Sequence, residues 1–216
     1  MTTTVVKKEE GKAFAPVKSL TYGRPRGFSD ELKWADTAIA TYAADTTGTI
    51  TLLNAIAIGD DYNARTSRKT YVTSVHLEGC FLPYDTTTTA TLGRVLLVWD
   101  KAPNSVAPSI TDIITTVDSC SQYSMLYRGR FRVLYDRQLT LGSADLVTAG
   151  EKVASGKNII PLRVTKKIKA KTVYNGSAAT IGSISQGALW LVTLGDQVLT
   201  NSGVLRCSTR VRFTDA

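Results

Sequence analysis

The sequence predicts an all-β protein: an eight-stranded antiparallel jelly-roll sandwich preceded by an extended N-terminal arm. Threonine, valine and isoleucine, which favour the pleated sheet over the helix, together make up 60 of the 216 residues. Several segments alternate apolar and polar residues with a period of two, as half-buried strands do. Several connections between these segments are long, which fits the Greek-key connections of a sandwich better than a meander barrel.

Length and composition are typical of a single globular domain. The chain has 216 residues and a mass of 23.3 kDa, which is sufficient to bury a core. Its 20% charged and 43% hydrophobic residues exclude a wholly disordered chain. No segment approaches the roughly 18 uninterrupted apolar residues of a membrane helix, so no membrane insertion is expected. Residues 1–10 contain no apolar run, and we therefore predict no signal peptide.

Residues 1–31 are predicted to form an extended, mildly basic arm, and residues 32–216 a single folded domain. Proline and glycine recur in the first segment, and its hydrophobic residues show little periodicity. Its basic residues are partly offset by acidic ones, so the arm lacks the charge of an arginine-rich tail.

Three strands are predicted in the first half of the domain: 32–42, 68–82 and 93–100. The first ends at a turn, after which Thr49–Leu53 adds a short extended piece. In the second, Val75 and the other odd-numbered residues form one side, and Val72 and the other even-numbered residues form the opposite side. The third is apolar nearly throughout, which predicts a central strand covered on both faces.

Five strands are predicted in the second half: 130–141, 158–164, 168–174, 187–195 and 204–213. The segment 187–195 is again apolar on both faces, and the lysine pair at 166–167 separates two of the other strands. Helix is confined to the connections, where Ser109 and Asp112 form a pattern like a capping box at the start of a helical turn.

The positive charge of the chain is concentrated in its C-terminal part. The formal net charge is +8. Residues 121–216 carry 14 basic against 5 acidic residues, whereas residues 1–120 carry 12 against 13. This asymmetry indicates an anionic partner.

Three predicted strands place their basic residues on one face, opposite an apolar face. Rows of lysine and arginine on a rigid sheet neutralise phosphates without reading bases. The alternative is that these faces are simply solvated, but three such strands in one charge-skewed segment favour contact with nucleic acid or another anionic surface. Together with three lysines of the arm, the predicted nucleic-acid-binding residues are Lys7, Lys8, Lys12, Arg128, Arg130, Arg132, Lys167, Lys169, Lys171, Arg206, Arg210 and Arg212.

The sequence contains no recognisable catalytic or metal-binding motif, so we predict no enzyme activity, no cofactor and no metal. The single histidine, His76, is four residues from Cys80, about 13 Å along a strand, which argues against a dyad. Neither a nucleophile elbow nor a phosphate-cradling glycine loop is present. Asp60 and Asp61 have the carboxylates that a Ca²⁺ site uses, but adjacent carboxylates in a turn are usually only solvated.

Cysteine usage indicates a reducing compartment. Cys80, Cys120 and Cys207 are widely spaced and odd in number. This pattern argues against a disulfide framework, which would need cysteines in pairs.

A series of short motifs follows the order seen in one family of viral proteins. The motifs are Leu32–Trp34, Asp61–Arg65, Arg94–Asn104, Ile110–Ile113, Tyr127–Phe131, Ile181–Ile184, Gly187–Val192 and Thr209–Phe213. As an ensemble they resemble the capsid proteins of small circular single-stranded DNA viruses that encode a replication initiator, the circovirus and geminivirus relatives. The resemblance covers the chain from about residue 30 to its end.

The resemblance implies a jelly roll of the viral capsid type that self-assembles into an icosahedral shell of about sixty subunits around circular single-stranded DNA. It implies no catalytic residues, a location in the virion, and assembly in the host nucleus. The chain departs from this family in lacking a long arginine-rich arm. DNA contact is therefore expected to rest on the lysines of the arm and on the basic strand faces.

Aromatic residues in and near the arm are expected at contacts between subunits. Phe14, Tyr22, Phe28 and Trp34 have little intrachain structure to join. Packing against neighbouring subunits is therefore favoured over stacking on bases.

Two other function classes are compatible with the predicted fold. The first is a β-sandwich binding module, lectin-like or specific for an anionic polymer, that works as a monomer or small oligomer. The second is a hydrolase on a β-scaffold, which the lack of a catalytic motif disfavours. Closed particles in solution would distinguish a shell protein from both.

Overall fold

The computed structural model describes residues 31–83, 90–142, 146–147, 151–152 and 159–215, so nearly all of the predicted arm lies outside the described residues. A single α-helix in the described part, α1 (Ile110–Ile113), lies between the fourth and fifth strands, and two short 3-10 helices span Ile181–Ser183 and Leu199–Asn201. In chain order the strands are β1 (Lys33–Ala44), β2 (Thr49–Leu52), β3 (Lys69–Pro83), β4 (Thr91–Asp100), β5 (Phe131–Leu141), β6 (Leu146–Val147), β7 (Glu151–Lys152), β8 (Ile160–Tyr174), β9 (Ile184–Gln186), β10 (Ala188–Gly195) and β11 (Gly203–Asp215).

The strands form two antiparallel sheets that pack as a sandwich. The five-stranded sheet has the order β1-β11-β3-β8-β9, and the four-stranded sheet has the order β2-β10-β4-β5. Strands β6 and β7 pair with each other. Except for β4–β5 and β8–β9, neighbours within each sheet are not consecutive in the chain, which is the Greek-key connectivity of a jelly roll. The predicted fold class, an antiparallel jelly-roll sandwich, is confirmed.

The hydrophobic core lies between the two sheets and continues behind the four-stranded sheet. Leu97 on β4 belongs to the layer between the sheets, whereas Leu96 and Trp190 on β10 belong to the second apolar cluster. Ile110 and Ile113 of α1 complete that second cluster. Strands β4 and β10 are thus buried on both faces, as their apolar sequences predict.

Polar contacts hold the connection between β4 and β5 against the sheet. The backbone N–H of Ser109 donates to the Asp112 carboxylate at 2.9 Å, as the capping pattern predicts. Arg94 donates to both carboxylate oxygens of Asp136, at 2.9 and 2.6 Å, and to the Ser121 carbonyl at 2.6 Å. Burial raises the pKa of Asp136, but hydrogen bonds from Arg94 and Tyr123 outweigh it and leave the pKa below its usual range.

Strand β8 corrects one prediction. The segments 158–164 and 168–174 belong to a single strand, and the eighth strand of the jelly roll is β2, a short piece that pairs with β10. The strand continues because a bulge accommodates its lysine-rich centre: the pairing with β3 shifts by one residue beside Lys169, which has a φ of 51°. This left-handed conformation costs a non-glycine residue about 1 kcal/mol or more.

A bulge also interrupts the alternation predicted for β3. Its pairing with β11 shifts by one residue where Val72 lies opposite Phe213. Val72 and Val75 are both fully buried as a result. The prediction that these two valines lie on opposite sides of the strand is wrong, because the extra residue reverses the side-chain order.

A buried asparagine joins the two sheets by hydrogen bonds. The Asn54 side-chain amide donates to the Thr172 hydroxyl on β8 at 3.0 Å and to the Gly187 carbonyl at 2.9 Å. Its side-chain oxygen accepts from the backbone N–H of Leu189 on β10 at 2.8 Å. The Tyr174 hydroxyl donates to the Asn54 main-chain carbonyl at 3.1 Å. Every polar atom of this fully buried side chain is therefore engaged, and its partners lie in both sheets.

Two glycines shape the core around Phe81. The ring of this fully buried residue on β3 lies against Gly93 on β4 and Gly203 on β11. A Cβ atom at Gly93 would lie 2.2 Å from the ring, and one at Gly203 would lie 2.3 Å from it. Neither distance is compatible with a side chain at these positions unless the ring moves.

We expect Gly203→Ala to lower the free energy of unfolding by about 1–3 kcal/mol, because the added methyl overpacks the core against Phe81. Combining it with Phe81→Leu should cost less than the sum of the two single substitutions, since the smaller side chain vacates the space. Urea denaturation of the dissociated subunit measures both values. Gly129→Ala is the control, because its added Cβ meets nothing within 4 Å. Additive costs would contradict the steric explanation.

Candidate nucleic-acid interface

The solvent-facing side of the five-stranded sheet carries the basic residues of β11. Arg206, Arg210 and Arg212 are exposed, whereas the alternating residues from Leu205 to Phe213 are buried. The period of two predicted for this strand holds over that range. Strand β8 adds basic residues to the same side. We call this side the cationic face and define it by Arg163, Lys167, Arg206, Arg210 and Arg212.

Two arginines of the cationic face are paired with carboxylates. Arg210 donates to both oxygens of Asp36 on β1 at 2.7 Å, and Arg163 pairs with Glu78 on β3. The hydrogen bonds from Arg210 lower the pKa of Asp36 below its usual range. Exposed pairs of this kind contribute only about 0–1 kcal/mol. A phosphate can therefore replace either carboxylate at small cost.

Three further cations of this face have no carboxylate partner in the part of the chain that the structure describes. Arg212 and Lys167 are paired in register with Ser74 of β3 from its two sides, so their backbones are about 10 Å apart. Arg206 lies six residues from Arg212 along β11, about 20 Å away. These three exposed side chains are available to an anionic ligand without the loss of an ion pair.

The three lysines predicted on β8 are all exposed, but they do not form a straight row. Lys167 and Lys171 pair in register with Ser74 and Tyr71 of β3. Lys169 lies in the bulge between them. The exposed lysines alternate with the buried Ile168 and Thr172, and the bulge bends the row at its centre.

The row predicted from Arg128, Arg130 and Arg132 does not form. Arg128 lies in the turn before β5, and Arg130 donates to both oxygens of the fully buried Asp100, at 2.8 and 2.7 Å. These hydrogen bonds raise the pKa of Arg130. Arg132 donates to the Ile168 carbonyl of the opposite sheet at 2.9 Å. Partners distant in sequence, and the turn that precedes β5, disperse the three side chains.

His76 lies within the cationic face and makes two polar contacts. Its Nδ1 atom is 2.7 Å from the Thr165 hydroxyl, and its Nε2 atom is 3.4 Å from the Glu78 carboxylate. Both ring nitrogens thus have partners on neighbouring positions of the sheet. The contacts of this histidine are those of a structural residue in the sheet.

Six predicted site residues lie outside the described residues: Lys7, Lys8, Lys12, Phe14, Tyr22 and Phe28. Trp34 is half-buried near the start of β1. Its ring centroid is 4.7 Å from that of Tyr62, at an interplanar angle of 34°, and the Arg210 guanidinium is 5.7 Å from the ring. Trp34 packs partly within its own chain, and its contact with a neighbouring subunit stays a prediction.

The residue-by-residue reading of the sequence missed basic residues at the edge of the sandwich. Lys166 belongs to the lysine pair for which the sequence predicts only a break between strands. In the structure its ammonium lies 5.6 Å from the ring of Tyr135 on β5. Arg137 is exposed on β5, two residues beyond this tyrosine. The joint basic composition of the segments 130–141 and 158–174 was the available signal.

A second missed feature is an apolar segment before β5. Met125, Leu126 and Tyr127 are consecutive, and their exposed fractions are 67%, 88% and 43%. Large apolar side chains rarely cluster on the surface of a monomer unless they contact another molecule. A hydrophobic triplet within a connection is the sequence signal for such a contact.

The described residues contain no group of three or more side chains that could hold a metal ion. No helix among them is long and apolar enough to cross a membrane. The thiols of Cys80, Cys120 and Cys207 are unpaired, and burial raises the pKa of Cys207 to about 12.

Comparison with known proteins finds viral coat proteins. The family model of the satellite tobacco necrosis virus coat protein matches residues 28–216. The coat protein of Maize white line mosaic satellite virus is 29% identical over 199 residues, which are 88% of this chain and 84% of the relative. The capsid protein of Miscanthus streak virus (isolate 91) is 28% identical, over 96% of this chain and 89% of the relative. The capsid protein of Satellite tobacco necrosis virus 1 is 26% identical, over 79% of this chain and 80% of the relative. A solved chain of Desmodium yellow mottle tymovirus aligns over 97% of this chain and 96% of its own, with 11% identity and a TM-score of 0.28.

We expect Asp36→Asn to strengthen binding of a single-stranded oligonucleotide, because it releases Arg210. The slope of log affinity against log salt concentration should steepen by about 0.7, the value for one more neutralised phosphate. In the unmodified protein the same gain should appear only in acid, once the pH falls through the lowered pKa of Asp36 and its carboxylate is protonated. Fluorescence anisotropy over a salt series measures both effects.

The matched control for this substitution is Asp60→Asn. Asp60 is exposed in the connection between β2 and β3, and its replacement by asparagine changes the net charge by the same amount. An equal gain from both variants would mean that net charge alone, and not the release of Arg210, determines the affinity.

Proposed function

The chain belongs to the family of the satellite tobacco necrosis virus coat protein, and we propose that it builds an icosahedral shell of about sixty copies around single-stranded DNA. It is a viral coat protein with a structural role in the virion, as the family model and the relatives that share most of its length indicate. The symmetry and copy number of the shell, the type of nucleic acid and assembly in the host nucleus form the proposal.

The unpaired cations of the cationic face are the observation that supports contact with nucleic acid. Arg206, Arg212 and Lys167 are exposed on a hydrogen-bonded sheet that holds their backbones in fixed positions. Such a sheet presents charge to phosphates but inserts no helix or loop into a groove. The contact is therefore electrostatic and independent of base sequence.

A single strand fits the interior of a small shell better than a duplex does. Duplex DNA has a persistence length of about 50 nm, so bending it within a small particle is costly. A single strand follows a curved surface without this cost. DNA is proposed because the motifs from Leu32–Trp34 to Thr209–Phe213 resemble those of circular single-stranded DNA virus capsids.

Exposed apolar side chains are the candidates for contacts between subunits. Met125 lines a groove with Phe131 and Val133, and the exposed Leu126 follows it in the chain. Burial of such side chains against a neighbouring subunit contributes about 25 cal/mol per Å² of apolar surface. Trp34 and three arm residues are proposed as further contacts; the arm residues are Phe14, Tyr22 and Phe28.

Expression of the full chain tests the proposal directly. Size-exclusion chromatography and negative-stain electron microscopy should show closed particles of uniform diameter. Nucleic acid inside them should resist added nuclease and, after the particles are opened, be degraded by DNase and not by RNase. Protected RNA would overturn the DNA assignment while leaving the shell. A monomer that binds an anionic polymer without forming particles would instead favour the binding module.

Leu126→Asp should abolish particle formation, because a buried carboxylate at a subunit contact is strongly unfavourable. The fold of the subunit should be unaffected, since this side chain is 88% exposed and surface substitutions usually change stability by about 0.5 kcal/mol or less. Sedimentation velocity measures assembly, and circular dichroism measures the β-content. Normal particles from this variant would exclude the segment from the subunit contacts.

A further inference from the structure

The two sheets of the sandwich meet solvent at an open edge formed by β5 and by the part of β8 that precedes its pairing with β9 at Val173 and Tyr174. The Lys166 ammonium on β8 lies 5.6 Å from the ring of Tyr135 on β5. The Arg132 guanidinium on β5 reaches the Ile168 carbonyl on β8 at 2.9 Å. These two contacts bring the side chains of one strand onto the other across the space between the sheets.

The inward face of β5 carries basic residues along this edge. Arg132, Tyr135 and Arg137 pair in register with Trp99, Leu97 and Val95 of β4, all of which belong to the layer between the sheets. Paired residues point to the same side of a sheet, so the three β5 side chains share the inward face. Because β5 is an edge strand, Arg132 and Arg137 are nevertheless exposed.

The acidic residues of these two strands offset almost none of the positive charge at the edge. Strand β8 contains five basic residues and no acidic residue. The one carboxylate of β5 is that of Asp136, which pairs with Leu96 on the opposite side of the sheet and is bound by Arg94. The cationic face differs in this respect, because Asp36 and Glu78 neutralise two of its arginines.

The edge also holds its charges in defined positions. Arg132 uses one N–H group for the Ile168 carbonyl, and its guanidinium has four others to offer to a ligand. Lys169 lies in the bulge beside this carbonyl. Along β5, the basic residues from Arg132 to Arg137 span roughly 15 Å, a distance over which an extended strand contacts successive phosphates.

We propose that the backbone of a single-stranded nucleic acid runs along this open edge, with its phosphates held by Arg132, Arg137, Lys166 and Lys169. We call these four residues the edge track. The inference rests on the proposed function and goes beyond it by assigning the main phosphate path to the sandwich edge, with the cationic face as a secondary contact. Tyr135 acts as a positioning residue, because its ring lies beside the Lys166 ammonium.

Two triple variants of equal charge separate the edge from the face. Arg132 is left intact in both because it links the sheets. The edge variant carries Arg137→Gln, Lys166→Gln and Lys169→Gln, and the face variant carries Arg206→Gln, Arg212→Gln and Lys167→Gln. Binding of a fluorescent single-stranded oligonucleotide to the full chain is measured over a salt series, with thermal unfolding and particle formation as controls.

In the edge variant the slope of log affinity against log salt concentration should become shallower by about 2, because each of the three removed cations accounts for about 0.7. The face variant should lose less than one. A charge-retaining variant, Lys166→Arg with Lys169→Arg, should keep the full slope, and so separates loss of charge from loss of fold.

The opposite results overturn the inference in distinguishable ways. A larger or equal loss in the face variant would refute the edge as the main path but leave the proposed function standing. An unchanged slope in both variants would contradict phosphate contact through the folded domain altogether. Loss of particles in the edge variant, with an unchanged slope, would assign the edge to contacts between subunits.

Discussion

The buried Asn54 side chain determines how the two sheets sit on each other, and both basic surfaces depend on that placement. The apolar layer between the sheets is non-directional and by itself tolerates a small shift of one sheet over the other. Asn54 removes this freedom, because its amide must reach Thr172 on β8 and Leu189 on β10 together. Leaving such a buried group unsatisfied costs about 1–3 kcal/mol. The offset of β8 from β5 is set by the same constraint.

The number of basic residues overstates the charge that a ligand meets. Arg94 and Arg130 are bound to carboxylates within the fold, and the fully buried Arg65 donates to the carbonyls of Ile56 and Ser67. These arginines stabilise connections and do not face a partner. The charge left for an anionic polymer lies on β5, β8 and β11. The formal net charge therefore indicates a binding surface only after the basic residues that are paired within the fold have been left out.

The sequence predicts the parts of this fold whose signals are local. The apolar runs of β4 and β10 and the alternation of β11 each lie within one strand, and all three predictions are confirmed. Bulges are not local in this sense: the one at Lys169 depends on the pairing with β3, so the continuous strand β8 was predicted as two. The same limit applies to the site, because the partner of Arg130 is 30 residues away in sequence.

The connection between β4 and β5 covers the outer side of the four-stranded sheet, while the outer side of the five-stranded sheet carries the cationic face. Surface connections accept substitutions and insertions more readily than paired strands do. The exposed parts of this connection outside the proposed contact Met125–Tyr127 can therefore vary without disturbing the opposite side. The jelly roll in this way divides one small domain into a side where insertions are tolerated between fixed apolar anchors and a side where every residue is bound by the register of paired strands.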